Sequence, residues 1–403
     1  MASFYSNSHE GRQLRLDVWQ DGGYCKWTLY SSGGSVAYYS IYNLYISING
    51  TVVYNPGTVA WDTKVFPAAT GSTGGSVWIG NGANAQTIYV SFVGAAAVIN
   101  YQTGEVLSMV SFPNYDPEQV ESRSVVETAY LNRCLQGQYA PGSVFKIVTL
   151  ASALENLPDL DSFVYDCTGY AAVGSYAVTD KSAHGTQTLS QAFSNSCNTA
   201  FAALAGELGY SMLGATAEKL GFNQNFMFGD LIVYNSSYPI DNLSDEDLAW
   251  SAVGQGRVLA TPMHMALIAS AVANGGVMNE PRLIAQITTP QGGERRPPAR
   301  ATGWRVMSEA AAQRIENELV RAVKSGTGTR AALGNGYTVA GKTGSAEVSD
   351  DKSVEADAWF VGYVTNDNAP YAVCVVVENG GSGGGIAAPL ARKTLQKAIN
   401  LGL

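Results

Sequence analysis

Asn132-Arg133-Cys134-Leu135-Gln136-Gly137-Gln138-Tyr139-Ala140-Pro141-Gly142-Ser143-Val144-Phe145-Lys146 is the stretch that decides how this chain is read. Pro141-Gly142 closes one segment, and Ser143 opens a helical run extending to about Glu155. A serine at a helix start commonly caps free backbone N–H groups. Lys146 changes that reading, because a residue three positions on shares the helix face with Ser143. Val144, Phe145, Ile147, Val148, Leu150, Ala151 and Leu154 make this helix apolar almost all round, so it is expected to be buried. A buried lysine is costly unless it is paired or neutral, and desolvation lowers its pKa. A serine hydroxyl is a weak nucleophile that needs such a base beside it. The expected pair is a nucleophile, Ser143, and its base, Lys146.

Two further motifs follow in order. Ser196-Cys197-Asn198 lies in a run from Gln191 to Ala203 that otherwise reads as helix. Beside a serine–lysine pair, a second hydroxyl can relay a proton, and a carboxamide can hold an amide. Lys342-Thr343-Gly344-Ser345 reads as a strand edge where glycine admits close approach and the lysine and hydroxyls can bind a carboxylate. Ser349-Asp350-Asp351-Lys352 also fits S-x-x-K and Ser47-Ile48-Asn49 also fits S-x-N, so single matches carry little. Only Lys342-Thr343-Gly344 is unrepeated, and the weight lies in order and context together.

Around these motifs the chain has two textures. Residues 1–93 hold nine of the 22 tyrosines and four of the seven tryptophans, with few charges. Alternating runs such as Leu14 to Trp19 and Leu44 to Ile48 are separated by turn signals at Gly33-Gly34, Asn49-Gly50 and Asn55-Pro56-Gly57. These features predict a small β-sandwich. Residues 94–403 form a second, α/β (α+β) domain. Its expected strands are Ala96 to Asn100, Glu105 to Val110, Tyr337 to Ser345, Ala358 to Val364 and Tyr371 to Glu378. Helices are expected over Ser143 to Glu155, Leu189 to Leu208, Pro262 to Asn274, Ser308 to Lys324 and Ala387 to Ile399. Short connections imply antiparallel neighbours, hence a five-stranded antiparallel sheet flanked by helices.

The bulk numbers narrow the function classes. A formal charge of −9 offers no basic footprint for nucleic acid. Arg295-Arg296-Pro297-Pro298 with Arg300 reads as a solvated loop. Cys25, Cys134, Cys167, Cys197 and Cys374 lack C-x-x-C spacing and His9, His184 and His264 stand apart, so neither a disulfide framework, a metal site nor a cofactor is expected. No basic and apolar leader opens the chain, and no apolar run suffices to span a bilayer, so the chain reads as soluble.

With its three motifs, residues 94–403 resemble the penicillin-binding protein transpeptidases, closest to the monofunctional class B enzymes. The approach Asn132 to Gly142, the segment Gly254-Gln255-Gly256 with Ala260-Thr261-Pro262, and the strand Ala358-Trp359-Phe360-Val361-Gly362-Tyr363 extend the likeness. The resemblance implies that Ser143 attacks the penultimate D-Ala carbonyl of a peptidoglycan stem peptide and that Lys146 takes its proton. Ser196 passes a proton to the departing D-Ala, Asn198 holds the donor amide, and Lys342, Thr343, Gly344 and Ser345 recognise the terminal carboxylate. The backbone N–H groups of Ser143 and Ser345 form the oxyanion hole. It also implies acylation of Ser143 by β-lactams and a location on the cell-wall side of the membrane.

Class B enzymes begin with a membrane anchor and an elongated module. Residues 1–93 instead resemble β-rich domains of siphovirus tail proteins, through Arg15 to Gln20, Trp27 to Ser35 and Trp61 to Pro67, and their aromatic side chains suit carbohydrate binding. Two other functions fit the same residues. One is a β-lactamase or D,D-carboxypeptidase, although Asn198 suits a transpeptidase or carboxypeptidase better than a class D lactamase. The other is a β-lactam sensor or cell-wall-binding adhesin.

Overall fold

In a computed structural model, backbone and side chains are described for residues 93–114, 129–228, 231–241, 244–284, 289–290, 302–349, 351 and 354–402, with backbone alone for the further strands named below. The chain divides into two compact units, residues 1–93 with 349–354, and residues 94–348 with 355–403.

The first unit contains two antiparallel sheets. One has the order β1 (Ala2–Tyr5), β2 (Gln13–Asp21), β3 (Tyr24–Ser32), β6 (Gly71–Trp78). The other has β5 (Thr51–Ala60), β4 (Ser40–Ile48), β7 (Ile88–Val90). The turns expected at Gly33-Gly34 and Asn49-Gly50, and the aromatic side chains read as a core or a carbohydrate surface, lie outside the described residues. Asn55-Pro56-Gly57 is not a turn. It lies inside β5, where the register passes from Leu44↔Gly57 to Ile46↔Tyr54 and leaves one extra residue on β5. Such a bulge accommodates a proline that cannot donate to the ladder.

The second unit is built on a five-stranded sheet. β8 (Gly94–Asn100) and β9 (Val106–Phe112) form a hairpin, as do β19 (Asp357–Val364) and β20 (Tyr371–Val377). With β18 (Val339–Ala346) the order is β18-β19-β20-β8-β9, all antiparallel. The five antiparallel strands are those expected, and the pairing of β20 with β8 is added by the fold. On β19, Trp359, Val361 and Tyr363 enter one core while Ala358, Phe360 and Val364 enter the other. β20 divides likewise, with Ala372, Cys374 and Val376 on one side and Val373, Val375 and Val377 on the other. Both faces are covered, so these strands read as continuous apolar runs rather than alternating ones.

Helices supply the two covers. α8 (Ala388–Leu401) packs Ala391, Leu395 and Ala398 on one face. The other face carries α1 (Arg133–Gln136), α2 (Lys146–Asn156), α6 (Pro262–Ala273) and α7 (Glu309–Ser325). Behind α2 lie α3 (Leu189–Asn195), α4 (Asn198–Lys219) and α5 (Asp245–Ala252). Two small hairpin-like pairs, β10 (Val164–Cys167) with β13 (Gly185–Thr188) and β11 (Tyr170–Val173) with β12 (Tyr176–Thr179), lead into α3. β14 (Val277–Asn279) pairs with β17 (Gly303–Arg305), and β15 (Ile287–Thr288) with β16 (Glu294–Arg296). Arg295 and Arg296, read above as loop, thus belong to β16, while Pro297 to Arg300 lie outside the described residues.

Two helix expectations are corrected. The run Leu189 to Leu208 is two helices, because Ser196 takes a left-handed backbone with φ 59°. Thr188 and Gln191 close a capping box on α3, and the Cys197 thiol accepts from Ala200 N to start α4. Nor does the α-helix expected from Ser143 begin there. Ser143 lies in a single 3-10 turn, Gly142–Phe145, which makes no side-chain cap bond and continues into α2. Among the described residues no helix is long and apolar enough to cross a membrane.

Candidate active site

The break at Ser196 places all three motifs around one point. Lys146 and Lys342 are each fully buried. Lys146 Nζ lies 3.2 Å from Ser143 Oγ and 3.3 Å from Ser196 Oγ. Lys342 Nζ approaches the same Ser196 Oγ at 2.8 Å. One hydroxyl therefore links two amines, and through them the nucleophile candidate to the strand β18.

Burial pushes the Lys146 pKa down to about 7, against the attraction of Asp180. Burial first, and then the neighbouring Lys146, hold Lys342 well below its ordinary range. An aromatic ring lies near each amine. Phe201 lies 5.5 Å from Lys146 Nζ, and Phe193 lies 5.7 Å from Lys342 Nζ. Two ammonium groups sharing one hydroxyl in this surrounding repel each other, which favours giving up a proton.

Neutral Lys146 has two N–H bonds and one lone pair. It donates to the Ser196 carbonyl at 2.6 Å and to Asn198 Oδ1 at 2.7 Å. Both acceptors are fixed, so the lone pair is left for the two serine hydroxyls. The arrangement aims a base at Ser143, which is what the S-x-x-K spacing alone predicts only as nearness.

Asn198 is held in turn. Its Nδ2 donates to the Thr179 carbonyl at 2.9 Å, and its backbone N donates to Asp180 Oδ1 at 2.6 Å. Burial raises the Asp180 pKa, but the donors Asn198 N, Thr199 Oγ1 and Thr199 N outweigh it and keep the carboxylate below its ordinary range. Lys342 Nζ also donates to its neighbour's carbonyl, Thr343 O, at 3.1 Å. Thr343 Oγ1 shares a hydrogen bond of 2.6 Å with Thr327 Oγ1. Ser345 Oγ accepts from Gly383 N at 3.1 Å.

Two glycines let the elements close on one another. Gly254 has φ 74°, and a Cβ there would run into the Gly142 carbonyl. Its own carbonyl accepts from Gly142 N at 2.8 Å, so Gly254 braces the turn that presents Ser143. A Cβ on Gly344 would lie 3.0 Å from Pro141 O and 3.2 Å from Val144 Cγ1. β18 is an outer strand of its sheet, and this contact keeps it against the Ser143 turn.

All eight residues singled out from the sequence, Ser143, Lys146, Ser196, Asn198, Lys342, Thr343, Gly344 and Ser345, thus lie in or against one cluster. Asp180 and Thr327 were missed. Asp180 carries no motif. Thr327 had a signal in Ser325-Gly326-Thr327-Gly328, a threonine between glycines shortly before Lys342-Thr343-Gly344. The decoy Ser349 to Lys352 includes Asp350 and Lys352, which lie outside the described residues. The histidines and cysteines, read as isolated, are not all so, since Cys167, Asp180, His184 and Cys197 bring their donor atoms within 4.8 Å of one another.

The family model of the penicillin binding protein transpeptidase domain matches residues 94–396. Stage V sporulation protein D of Bacillus subtilis is 34% identical over 325 residues, covering 75% of this chain, which spans 48% of that relative. Peptidoglycan D,D-transpeptidase PbpA of Mycolicibacterium smegmatis is 29% identical, with 77% of this chain and 67% of the relative covered. Among solved structures, the D,D-transpeptidase domain of a peptidoglycan glycosyltransferase from Eggerthella lenta has a TM-score of 0.69 and 32% identity, covering 78% of this chain and 79% of that one. A ceftriaxone acyl-enzyme complex of penicillin-binding protein A from M. tuberculosis has a TM-score of 0.71 and 27% identity, covering 77% of this chain and 75% of that one. A match that begins on the first strand of the five-stranded sheet and runs into α8 takes in every element of the site, and on that ground the chain belongs to the penicillin-binding protein transpeptidase family.

Proposed function

We propose that the chain is a peptidoglycan D,D-transpeptidase working through a Ser143 acyl-enzyme. The observation that carries the proposal is the unbroken contact series Ser143 Oγ, Lys146 Nζ, Ser196 Oγ, Lys342 Nζ, at 3.2, 3.3 and 2.8 Å. Lys146 takes the Ser143 proton as Oγ attacks the penultimate D-Ala carbonyl. The carbon–nitrogen bond to the last D-Ala breaks, and Ser196 passes a proton to the departing amine. The amine of a neighbouring stem peptide then attacks the ester, forms the crosslinking amide and returns Ser143 to its hydroxyl form.

Asn198 positions Lys146 through Oδ1 and keeps one Nδ2 hydrogen for the donor peptide. Lys342, Thr343 and Ser345 receive the terminal carboxylate, and Gly344 leaves the strand open beside them. The N–H groups of Ser143 and Ser345 polarise the attacked carbonyl. These peptides are wall components, so the site works on the cell-wall side of the membrane. We assign the catalytic domain to residues 94–403 and a separate β domain to residues 1–93, on the division into two units and the start of the family match at residue 94. Carbohydrate binding by residues 1–93 rests on their tyrosine and tryptophan content alone.

A β-lactam places a strained amide where the D-Ala-D-Ala peptide bond lies. Intact-mass measurement after incubation with penicillin G is expected to show a long-lived adduct of one drug mass, absent in Ser143→Ala. An adduct that disappears within minutes would shift the reading to a β-lactamase. No adduct on the folded parent would remove the proposal.

A further inference from the structure

Behind the S-x-N turn lies a cluster of which the acyl-transfer site uses only Asp180, as the support of Asn198. Cys167 ends β10, Asp180 follows β12, His184 precedes β13, and Cys197 caps α4. The loop from β12 to β13 thus contributes two donors, and β10 and the start of α4 one each. The Cys167 thiol lies 3.3 Å from His184 Nδ1 and 3.4 Å from Asp180 Oδ2, and the Cys197 thiol lies 3.3 Å from that same oxygen. All four donor atoms fall within 4.8 Å of one another. A tetrahedral zinc ion with sulfur, nitrogen and oxygen ligands spaces its donors roughly 3.3–3.8 Å apart.

We propose that Cys167, Asp180, His184 and Cys197 bind one thiophilic divalent cation of the zinc class.

The crowding at Asp180 supports this independently of the spacing. Its Oδ2 faces four donors at once: Thr199 Oγ1 at 2.8 Å, Thr199 N at 3.2 Å, and the two thiols. One carboxylate oxygen has about two lone-pair directions, so it cannot satisfy all four. On metal binding, both thiol protons leave to solvent, Thr199 Oγ1 turns its one hydrogen to the Cys167 sulfur, and Oδ2 keeps Thr199 N and gives its freed lone pair to the ion. Other donors are already placed to hold the ligands. Ala200 N donates to the Cys197 sulfur at 3.4 Å, Thr199 Oγ1 reaches the Cys167 sulfur at 3.3 Å, and Asn198 N donates to the second oxygen of Asp180. Such outer partners orient metal ligands and tune their basicity. The start of α4 also favours negative charge on Cys197 and Asp180.

Both cysteines are buried, while Asp180 and His184 are part-exposed and Lys181, Ser182 and Ala183 between them are exposed, so the ion has a path in from solvent. Cys197 stands between Ser196 and Asn198. A bound ion would therefore tie the turn that carries both residues to the β10–β13 pair.

The test is titration of the untagged, chelator-stripped full chain with zinc and, separately, with cobalt(II). One zinc per chain by elemental analysis, with a cobalt spectrum showing a thiolate charge-transfer band and intense tetrahedral visible bands, is the expected result. Cys167→Ser and His184→Ala, checked for folding by circular dichroism, are expected to weaken binding about tenfold or more. The proposal is overturned if the folded parent takes up neither metal, if the variants bind as the parent does, or if peptide mapping finds Cys167 and Cys197 joined as a disulfide in the freshly purified chain.

Discussion

At the residue scale the decisive feature is the protonation of Lys146. Below about pH 7 it is an ammonium without a lone pair, and above that value the neutral amine can accept the Ser143 proton. The second-order rate of acylation by penicillin G is therefore expected to rise as pH increases through about 7 and to level off above it. Stopped-flow or rapid-quench mass measurements across neutral pH check this, and a flat profile would take the base role away from Lys146. Lys146→Met, which keeps the length and loses the amine, is expected to slow acylation by about 10²–10⁴. That lysine and its partner serine were legible because burial can be read from an apolar helix. Asp180 was not legible, since it works only by meeting Asn198 N and the Thr199 groups across a turn that sequence spacing cannot bring together.

At the element scale the site depends on interruptions. An unbroken helix from Leu189 to Leu208 would continue past Ser196, and its left-handed backbone instead swings Ser196 and Asn198 toward Lys146. A non-glycine residue in that conformation costs about 1–3 kcal/mol. The capping box on α3 and the thiol cap on α4 offset that cost. Helical propensity in this run was strong enough to hide the break, so the sequence reading joined two helices. Gly254 is the second such point. Gly254→Ala is expected to destabilise the fold by about 1–3 kcal/mol, because it combines a left-handed backbone with a clash against the Gly142 carbonyl. It should also slow acylation by moving the Ser143 turn. Thermal melts and acylation rates measured on the same preparation check both effects, and an unchanged melting temperature would contradict the bracing role.

At the scale of the whole molecule the sheet divides the labour. β18, an outer strand, supplies Lys342 to Ser345, while the buried faces of β19 and β20 anchor helices on both sides. Every strand of this sheet and every helix that carries a catalytic candidate comes from residues 94–403. The segment 94–403, produced without residues 1–93, is therefore expected to fold and to be acylated by penicillin G at the parent's rate. A soluble, folded segment that no longer reacts would show that the site needs the first unit. The relatives point the same way, since their similarity is to the transpeptidase domain.

The sequence by itself determined the pairing of Ser143 with Lys146, the five strands and their antiparallel sense. These follow from local signals: apolar periodicity, i to i+3 spacing, and connections too short for crossovers. Only the tertiary structure decided that Ser196 bridges two buried lysines, that Asn198 turns the Lys146 lone pair toward Ser143, and that Cys167, Asp180, His184 and Cys197 meet. The reason is physical. Each of these depends on the direction of a side chain across a turn or between elements, and that direction is set by packing and left-handed backbone geometry, which residue spacing does not encode.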